Sequence, residues 1–224
     1  MGTAQRDCPL PTQQIGVTIV NIATDKRSAI VDGAAVLFRR CGYQATTLAD
    51  LSDATGMNKG SLFYFFPAKS DILFAIYLAT FEALDSHVDA IPGGLRADEN
   101  LRAHIHAMVS STLSRPDHVA VYFQEHQWIE RTLNAEQAAV IRSQEEFFTA
   151  RLGSIVEDAV AGGIFRDVNV KLLVTQIQAT VQSSYRWHLK DKGLAPSAIA
   201  DAIADTFIHG VLTAKFQQPP PLTN

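Results

Sequence analysis

The chain has little cysteine, no long apolar run and no excess of positive charge, and each shortage narrows what it can be. Its 224 residues contain two cysteines, Cys8 and Cys41, too few for a disulfide framework. Cys8 falls in an N-terminal stretch without helical pattern and Cys41 on an apolar helical stripe, so both are expected as free thiols. A redox sensor at Cys41 would need a depressed thiolate pKa, for which the nearby Arg39 and Arg40 are the only argument. No apolar run approaches the roughly 20 residues that a membrane span needs. Ile15 to Ala23 is short and follows no basic region, so it is not read as a signal peptide. A cytoplasmic protein with no membrane partner is expected.

Catalytic signatures are equally absent. There is no Gly-rich phosphate loop, no G-x-S-x-G elbow, no HExxH and no paired-carboxylate motif, so neither an enzyme nor a cofactor is expected. His87, His104, His106, His118 and His126 crowd one stretch, but His104 and His106 are two apart and diverge on a helix. Two imidazoles share a face at a spacing of four, so no metal site is assigned. Strand-like alternation and internal repeats are also missing, which leaves an all-α chain.

The formal net charge is −4, which suits a nucleic-acid binder poorly until the chain is divided. Residues 1–70 carry a net +2 and the remainder −6. Positive potential therefore belongs to the first part alone, and the two parts have different partners.

What is present is a compact pattern from Thr46 to Lys69, TTLADLSDATGMNKGSLFYFFPAK. Thr47 can cap a helix, with Asp50 three residues on completing a capping box. Leu48 and Leu51 then face inward, Gly56 supplies a left-handed exit, and Met57 plugs the corner. Asn58 caps a second helix of about two turns, because Pro67 pushes Phe66 out of helical geometry. Leu62 and Phe66, four apart, bury. That leaves Lys59, Gly60, Ser61, Phe63, Tyr64 and Phe65 on or near the outside, where four adjacent aromatics cannot all point inward. Lys59, Ser61 and Lys69 offer donors for phosphate oxygens. The layout is that of a helix-turn-helix reader of double-stranded DNA. Upstream, Ile30, Ala34, Leu37, Phe38 and Cys41 form one face of a bracing helix that Gly42 ends.

Residues 26 to 85 resemble the N-terminal DNA-binding domain of the TetR family of bacterial transcriptional regulators. The family motif is matched by Gly56, Met57, Asn58, Lys59, Gly60, Ser61, Leu62, Phe63, Tyr64, Phe65 and Phe66. The chain departs from it at Phe63, where a tyrosine usually contacts a phosphate, at Phe65, which replaces a polar ring, and at Ala68, where a capping serine is common. The fourth helix is therefore expected to begin later, capped by Ser70 or Asp71. With Thr46 and Thr47, the residues expected at DNA are Asn58, Lys59, Gly60, Ser61, Phe63, Tyr64, Phe65 and Lys69.

Beyond residue 70 the pattern continues as one helical domain, broken at Pro92-Gly93-Gly94, Arg115-Pro116, Gly162-Gly163 and Lys192-Gly193. Helices are expected over about 70–89, 98–114, from 117, 134–161, 170–189 and 196–215. In the last of these Ile199, Ile203, Phe207 and Val211 form a wide apolar stripe, flanked by small residues that include Gly210. The stripe is read as half of a four-helix homodimer interface, which the family resemblance also implies, with an ordinary core helix as the alternative. A two-fold dimer would read a palindromic operator.

The segments Ala120 to Trp128 and Ser183 to Trp187 resemble the branch of the family that senses acyl-CoA thioesters in lipid or steroid catabolism. Tyr122, Phe123, Trp128, Phe148 and Trp187 are expected to wall an apolar pocket with Gln124 and His126 as hydrogen-bonding groups, and Phe147 is a further candidate. Arg186 either holds a ligand phosphate or carboxylate, stacks on an aromatic, or pairs with Glu125 or Glu130.

The resulting expectation is an all-α chain of about nine helices. It comprises a mobile arm (1–24), a three-helix DNA-binding domain (25–70), a ligand-binding and dimerisation domain (71–216) and a mobile tail (217–224). The activity expected is that of a homodimeric repressor released by a small, partly apolar effector. An effector-independent DNA-binding structural or division-related protein of the same fold is the alternative, followed by a drug- or metal-sensing repressor.

Overall fold

A computed structural model describes residues 22–190 and 193–212. Most of the arm, with Cys8, and the whole tail expected from the sequence lie outside the described residues. Among the described residues there are nine helices of seven residues or more and no strand. They are α1 (Ile22–Cys41), α2 (Leu48–Thr55), α3 (Lys59–Phe65), α4 (Lys69–Asp89), α5 (Ala97–Ser114), α6 (Pro116–Glu125), α8 (Ala135–Ala161), α9 (Val170–Lys190) and α10 (Pro196–Val211). A 3-10 turn at His126–Trp128 and the single-turn α7 (Ile129–Thr132) join α6 to α8, and neither was expected.

The helix ends follow their caps. Thr47 accepts the Asp50 N–H at 3.2 Å while Asp50 accepts the Thr47 N–H at 2.7 Å, and Asn58 accepts the Ser61 N–H at 2.8 Å. Gly42 and Gly56 end α1 and α2 at φ of 84° and 66°, a region costly for residues with a Cβ. Two helix starts differ from expectation. Helix α1 begins at Ile22, inside the expected arm. Helix α4 begins at Lys69, because Asp71, as a first-turn residue, accepts the Ala68 N–H at 3.0 Å, and a side-chain cap at Ser70 or Asp71 is not needed.

Cys41 is not a free thiol; it is disulfide-bonded. Its sequence environment on a helical stripe carried no signal for this, since pairing depends on where another part of the chain passes.

Two apolar cores organise the molecule. The first gathers Ile30, Leu37 and Phe38 of α1, Leu51 of α2, Leu62 and Phe66 around α3, and Ile72, Ile76 and Tyr77 of α4. It also takes in Val121, Tyr122, Ile129, Leu133 and Ile141, so it does not stop at residue 70. The second gathers Leu101, Ile105 and Val109 of α5 with Leu152, Val156, Ile177, Val181, Ile199, Ile203 and Val211. Helix α5 is the centre of this second core, packed by α4, α8, α9 and α10.

Ion pairs tie α1 to α6. Arg39 pairs with Asp117, and Asp32 lies 3.1 Å from His118 Nε2 and 3.5 Å from Arg115. The neighbouring His118 and Arg115 hold the Asp32 carboxyl below its ordinary value despite burial. Arg39 is thus spent on the domain junction, while Arg40 is exposed.

Candidate nucleic-acid interface and ligand cavity

Helix α3 presents two large aromatics outward, Phe63 at 47% and Tyr64 at 84% exposure, with Lys59 and Gly60 exposed beside them. Large rings so exposed side by side call for a partner. Ser61 is half-buried. Phe65 is also half-buried, packed on the first core and edge-on to Tyr64 at 5.3 Å, so it backs the reading surface rather than forming it. Thr47 and Asn58 sit at the surface with their side chains engaged as caps.

Two expected DNA contacts are turned inward. Thr46 is 2% exposed and its hydroxyl donates to the Gly42 carbonyl at 2.8 Å. Lys69 donates to the carbonyls of Tyr43 at 2.7 Å and Thr46 at 2.9 Å, with its Nζ 4.3 Å from the Tyr43 ring centroid. Burial lowers its pKa from the ordinary lysine value, and the charge of Glu125 opposes that shift. Its position three residues beyond the aromatic block read as a phosphate donor; only the tertiary fold brings the turn after α1 underneath it.

A cavity of about 500 Å³ lies between the two cores. Helix α4 contributes Thr80, Phe81, Leu84 and Val88; α5 contributes His104, Met108, Ser111 and Thr112; α6 contributes Val119, Tyr122 and Phe123. His126 and Gln127 follow from the 3-10 turn, Glu145, Phe148, Thr149, Arg151 and Leu152 from α8, and Gln178, Val181 and Gln182 from α9. Of the residues expected from sequence, Tyr122, Phe123, His126 and Phe148 therefore line it.

Four do not. Gln124 is exposed, Trp128 is 41% exposed with Arg131 over its ring, and Trp187 is 50% exposed. Arg186 is exposed too, its Nε donating to the Tyr185 hydroxyl at 3.1 Å, and neither Glu125 nor Glu130 pairs with it. Phe147, also entertained for the pocket, is 53% exposed. Sequence reading missed the contributions of α4, α5 and α9, since no local signal marks which residues of separate helices converge.

Three polar groups of the cavity wall meet one another. Tyr122 and His126 both bond Glu145, the latter at 2.7 Å. That bond raises the His126 pKa against burial; burial raises that of Glu145, but the bonds from His126 and Tyr122 outweigh it and leave the carboxyl below its ordinary value. The clustered histidines have separate partners: His87 beside the Ala83 carbonyl, His104 beside that of Asn100, His106 at Asp201, His118 at Asp32 and His126 at Glu145. Among the described residues no group of three side chains could hold a metal ion, and no single helix is long and apolar enough to cross a membrane.

The expected dimer stripe is corrected as well. Ile199, Ile203 and Val211 are each 5% exposed and pack on α5 within the same chain, and Phe207 lies partly buried against the same core. Gly210 is exposed, in line with Ala198, Ala202 and Thr206 on the opposite face of α10. Helix α9 exposes Leu172, Gln176, Ala179 and Trp187 at helical spacing.

Comparison with known proteins agrees with this architecture. Residues 30–76 match the family model for bacterial regulatory proteins of the tetR family, and residues 94–211 match the tetracyclin repressor-like C-terminal domain. The chain is 27% identical over 191 residues to the HTH-type transcriptional repressor KstR2 of Rhodococcus jostii, covering 84% of this chain and 89% of that protein. It is 26% identical over 178 residues to the HTH-type transcriptional regulator HbdR of Aromatoleum, covering 78% and 73%. Among solved structures, the ketosteroid transcriptional regulator KstR2 of Mycobacterium tuberculosis superposes with a TM-score of 0.76 at 20% identity, over 84% of this chain and 95% of that one. AibR in complex with isovaleryl coenzyme A and operator DNA superposes with a TM-score of 0.69 at 24% identity, over 81% and 97%. Matched at both ends by models of one family, this chain belongs to the TetR family and is a transcriptional regulator with a DNA-reading N-terminal module and a ligand-binding C-terminal domain.

Proposed function

We propose that the protein is a homodimeric repressor that binds a palindromic operator through α3 and is released by a small, partly apolar effector, an acyl-CoA thioester. The observation that carries this reading is the cavity of about 500 Å³ walled by α4 together with α5, α6, α8 and α9. Helix α4 begins beside the reading pair and ends in the cavity wall. A ligand that favours one placement of Thr80, Phe81 and Leu84 biases the placement of α3, which is the differential interaction that allosteric release requires. An effector-independent protein of this fold would have no use for such a cavity.

The relatives support the effector class, since AibR is described in complex with isovaleryl coenzyme A and with its operator. An apolar acyl group suits the Phe81, Leu84, Met108, Leu152 and Val181 lining, while the charged nucleotide would remain toward solvent. Lys59, Gly60, Ser61, Phe63 and Tyr64 are the groups proposed at DNA, with Lys59 at phosphate and the rings at sugars or thymine methyls. Dimerisation through the exposed faces of α9 and α10 places two reading helices in successive major grooves, about 34–36 Å apart.

The test is fluorescence anisotropy of labelled DNA from upstream of the gene, titrated with protein and then with a panel of acyl-CoA thioesters. Salt-sensitive binding to a palindromic fragment, reversed by one thioester class, is expected. Retention of the complex at millimolar concentrations of every thioester would overturn the effector assignment, and sedimentation as a monomer would overturn the dimer.

A further inference from the structure

Some polar groups of the cavity wall meet one another, Tyr122 and His126 at Glu145 and Gln178 at Thr149, but a buried one at His104 does not. His104 is 6% exposed, and its Nδ1 lies 2.9 Å from the Asn100 carbonyl oxygen. A carbonyl only accepts, so Nδ1 carries the ring proton and Nε2 of the neutral ring is a bare lone pair. That Nε2 is buried and has no hydrogen-bond partner among the described residues. Arg151 lines the same cavity, its charge acts on His104, and among the described residues it makes no hydrogen bond or ion pair.

The geometry points to an effector that brings a neutral hydrogen-bond donor, a hydroxyl or an amide N–H, to His104 Nε2 inside the apolar cavity, together with an anionic group for Arg151. This deepens the reading of the cavity as the effector site and rests on it. The ring cannot answer by donating, because its one proton is committed to the helix backbone. Nor does it readily become an imidazolium: burial first, and then the nearby positive charge of Arg151, lower its pKa below the ordinary histidine value, outweighing the bond to Asn100. A buried acceptor left bare disfavours any ligand that is only hydrocarbon there, so a donor placed at Nε2 discriminates between otherwise similar ligands.

In a thioester the donor has two sources, a hydroxyl on the acyl chain or the amide N–H groups of the pantetheine arm. Calorimetric titration of octanoyl-CoA and 3-hydroxyoctanoyl-CoA into wild type and His104→Leu separates them. Loss of about tenfold in affinity, the size expected for one buried hydrogen bond, confined to the hydroxy compound assigns the acyl hydroxyl. An equal loss for both assigns the amide, and no loss for either overturns the proposal while leaving the thioester reading intact. If no thioester binds wild type, that reading fails, and phenol against toluene decides the present one. The phenol-to-toluene affinity ratio should fall about tenfold in His104→Leu, and an unchanged ratio would refute it. Arg151→Met should weaken the thioesters and spare phenol; equal loss of both would remove the role given to Arg151. Ring nitrogen-15 shifts of His104 in wild type test the premise without a variant. A proton-free Nε2 at pH 7 is expected, and a protonated one overturns the inference.

Discussion

Lys69 offers the sharpest separation between what the sequence suggests and what the fold does. Its Nζ donates to the backbone carbonyls of Tyr43 and Thr46, at 2.7 and 2.9 Å, and more weakly to that of Gln44 at 3.4 Å, and it sits 4.3 Å from the Tyr43 ring centroid. Hydrogen bonds to a charged group net about 1.5–3 kcal/mol when well made. Lys69 is half-buried, so the lower end applies to each of the two shorter bonds, and a part-exposed cation over a ring adds roughly 0.5 kcal/mol. Ordering the side chain costs up to about 2 kcal/mol, which leaves a net stabilisation of about 1.5 kcal/mol. Lys69→Met should therefore lower the melting temperature by about 3–6 °C for a chain of this size. Among folded molecules, the slope of log operator affinity against log salt should stay unchanged. The contrast is Lys59, which is exposed and has no partner holding it inward among the described residues. Lys59→Ala should leave the melting temperature in place and flatten the salt slope by about 0.9 for each protomer. If Lys69→Met flattened the slope by that amount and left the melting temperature alone, the lysine would be a phosphate donor after all, and the packing argument would be wrong.

Three further outcomes follow from the same coordinates. Gly56→Ala, forced into φ of 66°, should destabilise the protein by about 1 kcal/mol in urea unfolding; no loss would mean that the turn relaxes. Tyr77→Phe removes a buried hydroxyl with no partner among the described residues, so it should be neutral or stabilising by up to about 1 kcal/mol, whereas a clear loss in the urea midpoint would reveal a partner. The pair of His126 and Glu145 gives a pH signature. His126 has a folded pKa above its ordinary 6.5, so its contribution is complete below 6.5 and disappears as pH rises through the folded value. Glu145 has a folded pKa below its ordinary 4.5, so its contribution is complete above 4.5 and disappears as pH falls through the folded value. The stability difference between wild type and His126→Gln should then be largest between pH 4.5 and 6.5 and shrink toward pH 8. A difference that grows on the alkaline side would contradict the ion pair.

The reading module was largely legible without coordinates, because the forces that shape it act over three or four residues. Thr47 with Asp50, Asn58 with Ser61, the left-handed Gly56 and the stop at Pro67 are local events. The burial of Leu62 and Phe66 follows from their spacing once the helix is granted. The long α8 was legible for the same reason, with Asn134 and Gln137 exchanging bonds at its start.

The ligand site was only partly legible. Tyr122, Phe123, His126 and Phe148 were found from the density of aromatics around α6 and α8, whereas Arg186 and Trp187, in an equally aromatic stretch, point outward. An aromatic block shows that something must be covered, not by what. The same limit governs α10. A stripe of Ile199, Ile203 and Val211 states that one face seeks an apolar neighbour, and both a second chain and the chain's own α5 satisfy it; the fold chose α5.

By itself the sequence determined most of the helices, the caps at Thr47, Asn58 and Asn134, the helix-turn-helix and the separation of charge between the two parts, because these depend on neighbours along the chain. The tertiary structure alone decided that Lys69 braces a turn, that Cys41 is disulfide-bonded, and that His104 and Arg151 meet Phe81 and Gln182 around one cavity. Those outcomes depend on which distant segments share a surface, and burial of apolar area, being non-directional, leaves that choice to the packing of the whole chain.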